Sequence, residues 1–347
     1  LDPKSLNLID VKCPMGMELN IQSSCLYVSE SAIYITGGLT LQKDSASNDF
    51  ILYNPSENTF EKLPSFNQAR FAHQMIFVRD YLYILGGKSF NGKQETILKT
   101  CERFDFTKKK WENIDSLTTP RASATTLLYK DAIYVLGGQI SDQKKTRTIE
   151  AFDLKSEKWT QLGIKLPRAM SSFMIFSPVE DIVEIIGGQG PHGPLDSNYL
   201  LDLKEDTYIC KSLMGKAGPV TGVQYKDKVL ILGENEIEEY NILADKWEKK
   251  DFIKGLDTSK VALAQPVVQV DTDNQRKDKK DSPNVITDKR CFLFGNDVIS
   301  FIMETNFSKK YCKEHPIPTG LKLYSYQGTL KLADGKFFLC GGLDRNN

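Results

Sequence analysis

Short apolar runs that end in a pair of glycines recur along the chain. The full copies are Ile33 to Gly38, Leu82 to Gly87, Ile133 to Gly138, Val183 to Gly188 and Phe337 to Gly342. Weaker copies end at Gly233 and Gly295, and the first glycines of neighbouring copies are 46 to 62 residues apart. Because β-branched and aromatic residues bounded by glycine are typical of strands, each copy predicts one strand of a repeated unit of about 50 residues.

A second pattern follows each of the first five copies. An apolar residue precedes Asp or Asn, and a large ring stands seven residues after the apolar position. The sets are Tyr53-Asn54 with Phe60, Phe104-Asp105 with Trp111, Phe152-Asp153 with Trp159, Leu201-Asp202 with Tyr208, and Tyr240-Asn241 with Trp247. Since Asp and Asn side chains bond to their own backbone in tight turns, this pattern predicts two adjacent strands with a reversal between them. We expect the ring to pack between neighbouring sheets.

Each unit is therefore predicted to be a small sheet. Strand A precedes strand B, which ends at the two glycines. A variable loop leads to strand C, which ends at Asp or Asn, and strand D carries the ring. The glycines suit a strand end that needs positive φ, and no phosphate-binding motif follows them.

The combination of diglycine, apolar-Asp pair and spaced ring resembles the kelch-repeat family over essentially the whole chain. The resemblance implies an all-β protein, a β-propeller of about seven four-stranded blades, with six blades as the alternative. The weaker copies at Gly233 and Gly295 depart from the pattern, because Glu234 and Asn296 replace the second glycine.

Only five residues follow the last diglycine, so the last unit needs its outer strands from elsewhere. Residues 1–12 repeat the seven-residue spacing, and we expect them to complete a closing blade with residues 321–347 in a single domain, 1–347. Closing the ring in this way leaves few free sheet edges. Residues 271–289 read as a charged, flexible insertion. A docking or phosphorylation segment around Ser282-Pro283 is the alternative.

Three arginines, Arg70, Arg121 and Arg168, stand at the start of strand A in successive units. In propellers, the loops from D to A and from B to C gather on one rim, so we expect the arginines to converge there. The resemblance implies capture of an acidic peptide by such residues, because a guanidinium pairs with carboxylates through two parallel hydrogen bonds. The alternative is that each arginine only holds its own loop.

The B-to-C loops rim the same expected face and supply further candidate partner-binding residues. These are Lys88, Phe90, Gln139, Gln189 and His192. Loops on a rigid scaffold are common binding positions, and an aromatic residue in a polar loop is a typical interface anchor. Phe90 has a second interpretation, in which its ring packs against its own blade.

Charge and composition restrict the classes of partner that the protein is expected to bind. The 45 basic and 45 acidic residues cancel, so no overall field favours nucleic acid or an anionic membrane. No apolar run is long enough to cross a bilayer, which predicts a soluble protein without membrane insertion. Seven cysteines without a CxxC pair suit reduced thiols, and we expect a cytoplasmic location with cytoskeletal association as one variant.

Catalysis is the least favoured class. The three histidines, His73, His192 and His315, lie in different units, so neither a metal nor another cofactor is expected. No nucleophile motif and no repeated Ser-x-Asp-x-Gly-x-x-Trp box of sialidase-type propellers is present. The sequence predicts a non-catalytic protein-protein interaction module. It is either the recognition domain of a ubiquitin-ligase adaptor, with another domain upstream of Leu1, or a structural subunit of a large assembly.

Overall fold

The computed structural model describes two parts of the chain. The first is residues 33–249, with gaps at 41–44, 55–56, 58, 180, 216–217, 219–220, 226–227 and 233–236. The second part consists of six short segments, each one strand long, at 25–28, 291–294, 301–306, 311–316, 328–331 and 337–340. All the regular structure in these residues is β-strand. No helix in this described part is long and apolar enough to span a membrane.

Five four-stranded sheets, here called blades 1 to 5, follow one another along the chain, and small ribbons join strands B and C in three of them. Blade 1 has β1 (Cys25–Val28), β2 (Ile33–Thr36), the ribbon β3 (Leu39–Thr40) and β4 (Ser45–Ala46), β5 (Phe50–Asn54) and β6 (Thr59–Leu63). Blade 2 has β7 (Gln74–Val78), β8 (Tyr81–Leu85), the ribbon β9 (Lys88–Phe90) and β10 (Glu95–Ile97), β11 (Cys101–Asp105) and β12 (Lys110–Ile114). Blade 3 has β13 (Thr125–Tyr129), β14 (Ala132–Leu136), β15 (Thr148–Asp153) and β16 (Lys158–Lys165).

Blade 4 has β17 (Met174–Val179), β18 (Ile182–Ile186), the ribbon β19 (Gln189–Gly190) and β20 (Gly193–Pro194), β21 (Asn198–Asp202) and β22 (Thr207–Cys210). Blade 5 has β23 (Thr221–Tyr225), β24 (Lys228–Leu232), β25 (Ile237–Asn241) and β26 (Lys246–Lys249). A three-stranded sheet follows, with β27 (Cys291–Phe294), β28 (Phe301–Asn306) and β29 (Tyr311–Pro316). A pair of strands, β30 (Gly328–Lys331) and β31 (Phe337–Cys340), comes last.

Each blade is an antiparallel meander in the order A, B, C, D, as the repeat predicts. The diglycine follows strand B, the apolar-Asp pair ends strand C, and the ring lies directly opposite the apolar residue on strand D. Phe104 pairs with Trp111, Phe152 with Trp159, and Tyr240 with Trp247. The predicted all-β propeller architecture is confirmed.

The turn between strands C and D is held by the predicted side chain. The carboxylate of Asp105 accepts hydrogen bonds from two backbone N–H groups further along the turn, at 2.9 Å each. Asp202 does the same in blade 4, and Asn241 accepts one such bond in blade 5. Because these bonds replace ladder bonds where the chain reverses, Asp or Asn is required at the end of strand C.

The apolar core lies between blades instead of within one. One buried cluster joins blades 1 and 2, and separate clusters join blades 2 and 3, 3 and 4, and 4 and 5. The tryptophans strengthen these contacts with polar bonds: the Trp159 indole N–H donates to the backbone O of Asp115 in the preceding blade, at 2.8 Å. Trp111 and Trp247 donate likewise to Pro64 and Ser212. The expectation that the rings pack between neighbouring sheets is confirmed for the three tryptophans, but it is wrong for Tyr208 in blade 4, which is 44% exposed.

Parts of the sequence prediction fall on residues outside the described part. Residues 1–12 and 271–289 are such segments, so the ring closure and the charged insertion stay predictions, as do the seven blades and the single domain.

The glycines after strand B can be tested directly. Gly137 has φ +59°, and a Cβ there would lie 2.6 Å from the backbone O of Met170, whereas a Cβ on Gly163 meets nothing within 4 Å. We expect Gly137→Ala to lower the free energy of unfolding by about 1–3 kcal/mol, because L side chains are strained at positive φ and the carbonyl must move. Thermal denaturation checks this, with Gly163→Ala as control. Equal melting temperatures for the two variants would contradict it.

Candidate functional site

The B-to-C loops and the D-to-A linkers meet on one rim of the propeller. Each linker bridges to the residue that follows the diglycine, with Phe71 paired to Lys88, Ala122 to Gln139, and Ser171 to Gln189. In the first pair the two backbone N–H···O bonds are both 2.8 Å long. These bridges place Lys88, Gln139 and Gln189 at the same position in blades 2, 3 and 4, as the sequence predicted for one shared face.

The side chains of these loop residues differ in their exposure and in their contacts. Lys88 is half-buried, and its Nζ lies 2.6 Å from Glu95 in the same ribbon, while Phe90 is also half-buried. Gln139 donates to the backbone O of Asp142 within its own loop. Gln189 is half-buried and His192 is exposed at the tip of its ribbon. Their role in binding a partner stays a prediction.

The structure corrects the expectation for Arg70 and Arg121. Their side chains are 0% and 1% exposed, and each forms a buried ion pair, Arg70 with Glu102 at 2.8 Å and Arg121 with Glu150. Burial lowers the pKa of both guanidinium groups from its usual value, while the facing glutamates oppose that shift. Neither side chain can reach a partner, so the loop-holding alternative describes both.

Each buried arginine links two blades. The Arg121 side chain donates to the backbone O of Gly137 at 2.8 Å and of Thr148 at 3.0 Å, both in blade 3. Its own backbone O accepts a bond from the N–H of Gly87 in blade 2, at 2.8 Å. Arg70 makes the equivalent bonds between blades 1 and 2. Both side chains thus donate several bonds within the scaffold, while the buried Nε of Arg121 has no hydrogen-bond partner among the described residues.

Arg168 lies in a different place from the other two arginines. The position of Arg121 is taken in the next linker by Met170 and not by Arg168. This follows from the bond of the second glycine, because Gly87 N–H donates to the backbone O of Arg121 and Gly138 N–H donates to that of Met170. Tyr199 occupies in blade 4 the position that Glu150 occupies in blade 3. Each stands two residues after the backbone O that accepts a bond from the first glycine: Thr148 accepts from Gly137, and Ser197 accepts from Gly187. The buried ion pair is thus replaced in blade 4, and the Arg168 side chain is exposed.

Sequence reasoning missed the cations that surround Arg168. Arg147 and Lys165 are both exposed, and Arg147 Nε donates to the backbone O of Leu166 at 2.6 Å. The residue equivalent to Arg147 stands at a different distance from the diglycine in each blade, so no fixed spacing in the sequence identifies these cations. Recognising them requires the register of the linkers, which tertiary hydrogen bonds define.

A buried polar cluster lies between blades 4 and 5. Glu184 and Asn198 are both 0% exposed, and within the described residues neither side chain has a hydrogen-bond partner at good geometry. Burial raises the pKa of Glu184, and nearby Tyr240, Asn198 and Lys211 partly oppose that rise. Asp245, whose Oδ1 accepts from Tyr240 OH at 2.9 Å, raises the pKa further. Glu184 and Asn198 are sealed from solvent, so we expect them to affect stability and not surface chemistry.

Glu184 occupies a position that is apolar or aromatic elsewhere. The matching residues, three before the first glycine, are Tyr34, Tyr83 and Tyr134 in blades 1 to 3. No group of three or more His, Cys, Asp or Glu residues that could hold a metal ion occurs among the described residues.

The chain is similar to kelch-repeat proteins. The family model for the KLHDC2/KLHL20/DRC7 kelch-repeats domain matches residues 23–249. Kelch-like protein 40 of Xenopus tropicalis is 28% identical over 179 residues, which cover 50% of this chain and 28% of that protein. Kelch repeat and BTB domain-containing protein 8 of Rattus norvegicus is 23% identical over 178 residues, covering 38% of this chain and 31% of that protein.

One longer match has a lower identity. Kelch-like protein 26 of Danio rerio is 21% identical over 276 residues, 73% of this chain and 44% of that protein. The chain thus spans less than half the length of these three curated relatives. Among solved structures, that of YjhT matches with a TM-score of 0.55 at 14% identity, covering 66% of this chain and 84% of YjhT. That likeness concerns the fold alone.

The buried ion pair of Arg121 and Glu150 has an uncharged counterpart at the next blade boundary, where Met170 and Tyr199 occupy the same positions. We expect Arg121→Ala to lower the free energy of unfolding by about 3–5 kcal/mol, because it leaves the Glu150 carboxylate buried without its charge partner. The double variant Arg121→Met/Glu150→Tyr, which copies Met170 and Tyr199, should recover part of that loss. Urea denaturation of both variants checks this. A double variant no more stable than the single one would contradict it.

Glu184 should make stability depend on pH. Its folded pKa lies above the unfolded value of about 4.3, so the unfolded state ionises first and wild-type stability falls as pH rises from there through the folded pKa. We expect Glu184→Gln to melt at a higher temperature than wild type at pH 7, with the difference shrinking towards pH 4. Thermal melts across this range measure it. A difference that is independent of pH would show that ionisation of Glu184 is not responsible.

Proposed function

Because the chain belongs to the kelch-repeat family, we propose that it is a non-catalytic protein-interaction module that recognises its partner through the loops on one rim of the propeller. Kelch-repeat proteins are mostly interaction modules, and the family model covers the described blades. The observation that carries the proposal is the rim itself. There the B-to-C ribbons and the D-to-A linkers of successive blades are joined by paired backbone hydrogen bonds.

The rim has the properties of a recognition surface. Its loops stand on sheets that pack through continuous apolar clusters, so the loop residues are presented by a rigid scaffold. His192 and Arg168 are exposed, and Phe90 offers part of an aromatic ring in a polar ribbon. An aromatic anchor beside polar and cationic groups is typical of residues that dominate binding energy.

The finer proposal is that the partner presents an acidic segment. Arg168 supports it, because its side chain is exposed and none of the ion pairs between described residues involves it. The Arg168 guanidinium interacts with the side chain of Tyr199 but has no carboxylate partner among the described residues. A guanidinium in that state can bind a carboxylate through two parallel hydrogen bonds. Arg70 and Arg121 are excluded from this role by their burial.

We also propose that this chain does not catalyse a reaction. The perturbed groups of the described residues serve the scaffold: burial lowers the pKa of His73 to about 3 and raises that of the Cys101 thiol to about 12. Both side chains are buried. A neutral buried imidazole bonded to Thr36 is what packing between blades requires.

A role in a ubiquitin-ligase adaptor is the more specific candidate. One relative, Kelch repeat and BTB domain-containing protein 8, joins a kelch repeat to a BTB domain by its name, and the chain spans only 31% of that protein. An upstream domain that recruits the ligase would make this propeller the substrate-recognition half. Cytoplasmic location is proposed with it, supported by the free thiols of Cys101 and Cys210.

The rim can be tested in cells that express the intact, tagged protein. We expect the triple variant Phe90→Ala/Arg168→Ala/His192→Ala to reduce recovery of a specific co-purifying protein about tenfold, the change expected when about 1.4 kcal/mol of binding energy is lost. The control variant Lys155→Ala/Lys204→Ala/Lys246→Ala removes exposed residues at the opposite end and should retain the partner. Quantitative mass spectrometry measures recovery, and circular dichroism checks folding.

Retention of every partner by the folded rim variant would contradict recognition through these loops. The blade sides or the opposite end would then be the contact, as the alternative of a structural subunit requires.

A further inference from the structure

The large apolar side chains that are exposed among the described residues lie in one region of the chain. They are Tyr208, Ile209, Leu213 and Leu243, with exposed fractions of 44%, 61%, 58% and 83%. Tyr208 and Ile209 belong to β22, which is strand D of blade 4, and Leu213 follows this strand in the linker to blade 5. Because contiguous exposed apolar surface marks sites of protein interaction, this region is a candidate interface.

Leu243 belongs to the same surface, although it lies in the turn between strands C and D of blade 5. Asp245, two residues further along, accepts hydrogen bonds from the backbone N–H and the hydroxyl of Ser212, at 3.1 and 2.7 Å. The Trp247 indole N–H also donates to the backbone O of Ser212, at 2.8 Å. These bonds hold the segment of Leu243 against the segment of Leu213. We name β22 together with these two leucines the apolar edge.

The sequence of β22 differs from that of the other four D strands. Each of those contains two or more charged residues: Glu61 and Lys62 in β6, Lys110 and Glu112 in β12, Lys158 and Lys165 in β16, and Lys246, Glu248 and Lys249 in β26. The sequence of β22 is Thr-Tyr-Ile-Cys, without a charge, and all four residues are exposed. Charged residues on an edge strand, lysine above all, prevent it from pairing with another sheet. Blade 4 therefore lacks a protection that the other blades have.

The backbone of β22 has hydrogen-bonding groups available at its outer edge. The strand is last in the order of its sheet and pairs with β21 alone among the described strands. Lys211, directly after the strand, donates its N–H to the backbone O of Asn198, at 2.9 Å. Because the bonds of an antiparallel ladder alternate, Ile209 also bonds towards β21. The N–H and C=O groups of Tyr208 and Cys210 point away from the sheet.

These outward groups are arranged symmetrically about Ile209. When a second copy of β22 lies antiparallel to the first, Tyr208 of one strand is opposite Cys210 of the other, and the outward N–H and C=O groups of each pair bond to each other. The two Ile209 side chains are then directly opposite, in the closely spaced type of pair that brings side chains together. A two-fold axis through this point satisfies the backbone groups and covers both isoleucines.

The charges at the two ends of β22 fit the same antiparallel pairing. Lys204, Glu205 and Asp206 precede the strand with a sum of one negative charge, and Lys211 follows it with one positive charge. Antiparallel pairing brings the acidic end of each strand beside the basic end of its partner, whereas parallel pairing would bring like charges together. Lys211 also lies 3.6 Å from Asp245 of its own chain, and its ammonium group has donors for a second carboxylate.

We propose that the apolar edge pairs with the apolar edge of a second copy of this chain, so that two four-stranded sheets become one continuous antiparallel sheet. The edge is complementary to itself in its backbone bonds, in the contact of Ile209 and in the charges at its ends. This self-complementarity favours a second copy over a strand of another protein. The dimer does not use the loop residues proposed to recognise a partner, so it is a second interaction surface beyond the proposed function.

Sedimentation velocity of the purified 347-residue chain tests the dimer. We expect a monomer–dimer equilibrium with a Kd of about 1–100 µM, because the paired strand is short and the interface small. Ile209→Lys should weaken dimerisation about tenfold or more, since it places two like charges directly opposite each other. The matched control is Thr160→Lys, because Thr160 is exposed and follows the ring of strand D in blade 3 as Ile209 does in blade 4. This control should dimerise as wild type does.

Disulfide cross-linking tests the register of the two strands. The variant Ile209→Cys/Cys210→Ser should form a disulfide between two copies in oxidised glutathione, because opposite residues of an antiparallel pair lie within the Cα distance that a disulfide spans. The control Thr160→Cys/Cys210→Ser should form no such link. Peptide mapping by mass spectrometry shows whether the link joins the two introduced thiols.

The proposal is overturned if wild type remains a monomer up to about 100 µM, or if Ile209→Lys and Thr160→Lys dimerise equally. It is also overturned if the wild-type chain is monomeric while tagged Ile209→Lys loses a different co-purifying protein, which would assign the edge to a strand of that protein. Thermal melts check the fold of each variant. If Ile209→Lys melts early, Ile209→Thr, which copies blade 3, replaces it and should still weaken the dimer.

Failure of the dimer is distinguishable from failure of the rim. The variant Phe90→Ala/Arg168→Ala/His192→Ala leaves β22 unchanged, so it should dimerise as wild type does, whatever its effect on the recovery of a partner. Loss of the dimer in this folded variant would place the contact between copies on the rim and overturn pairing through β22.

Discussion

The fold depends on one repeated hydrogen bond between blades. The N–H of the second glycine after strand B donates to a backbone O in the linker that leads to the next blade. Gly38, Gly87, Gly138 and Gly188 bond in this way to Arg70, Arg121, Met170 and Gly218, at 2.8–3.0 Å. The two glycines have positive φ, and a Cβ on Gly87 would lie 2.7 Å from the Cβ of His73. The bond and the close approach together explain why neither glycine tolerates a side chain.

The residues at this bond have a structural role, whereas the residues next to it differ between blades. The residue that supplies the carbonyl is buried whether it is Arg121 with its ion pair or Met170 beside Tyr199. Both solutions fill the same space between blades, and the charged one also satisfies the carbonyls of Gly137 and Thr148. Residues just outside the bond differ between blades, and at the boundary between blades 3 and 4 they include the exposed cations Arg147 and Lys165.

Local patterns were sufficient to predict the blades. The apolar run before Gly137, the carboxylate of Asp153 in its turn and the ring of Trp159 act over a few residues, so their spacing predicts strands B, C and D directly. The site was predicted less well. Arg70, Arg121 and Arg168 were grouped by their distance from strand A, but a difference of two residues separates a buried arginine from an exposed one.

What the sequence by itself determined is therefore the repeat: the order of strands, the turns and the glycines, all set by interactions between residues close in the chain. Only the tertiary structure decided which polar groups are consumed by the scaffold. Arg70 meets Glu102 across 32 residues, and Lys165 comes beside Thr148 through a bulged sheet. Burial, ion pairing and shared surfaces depend on such distant neighbours, and no local spacing in the chain specifies them.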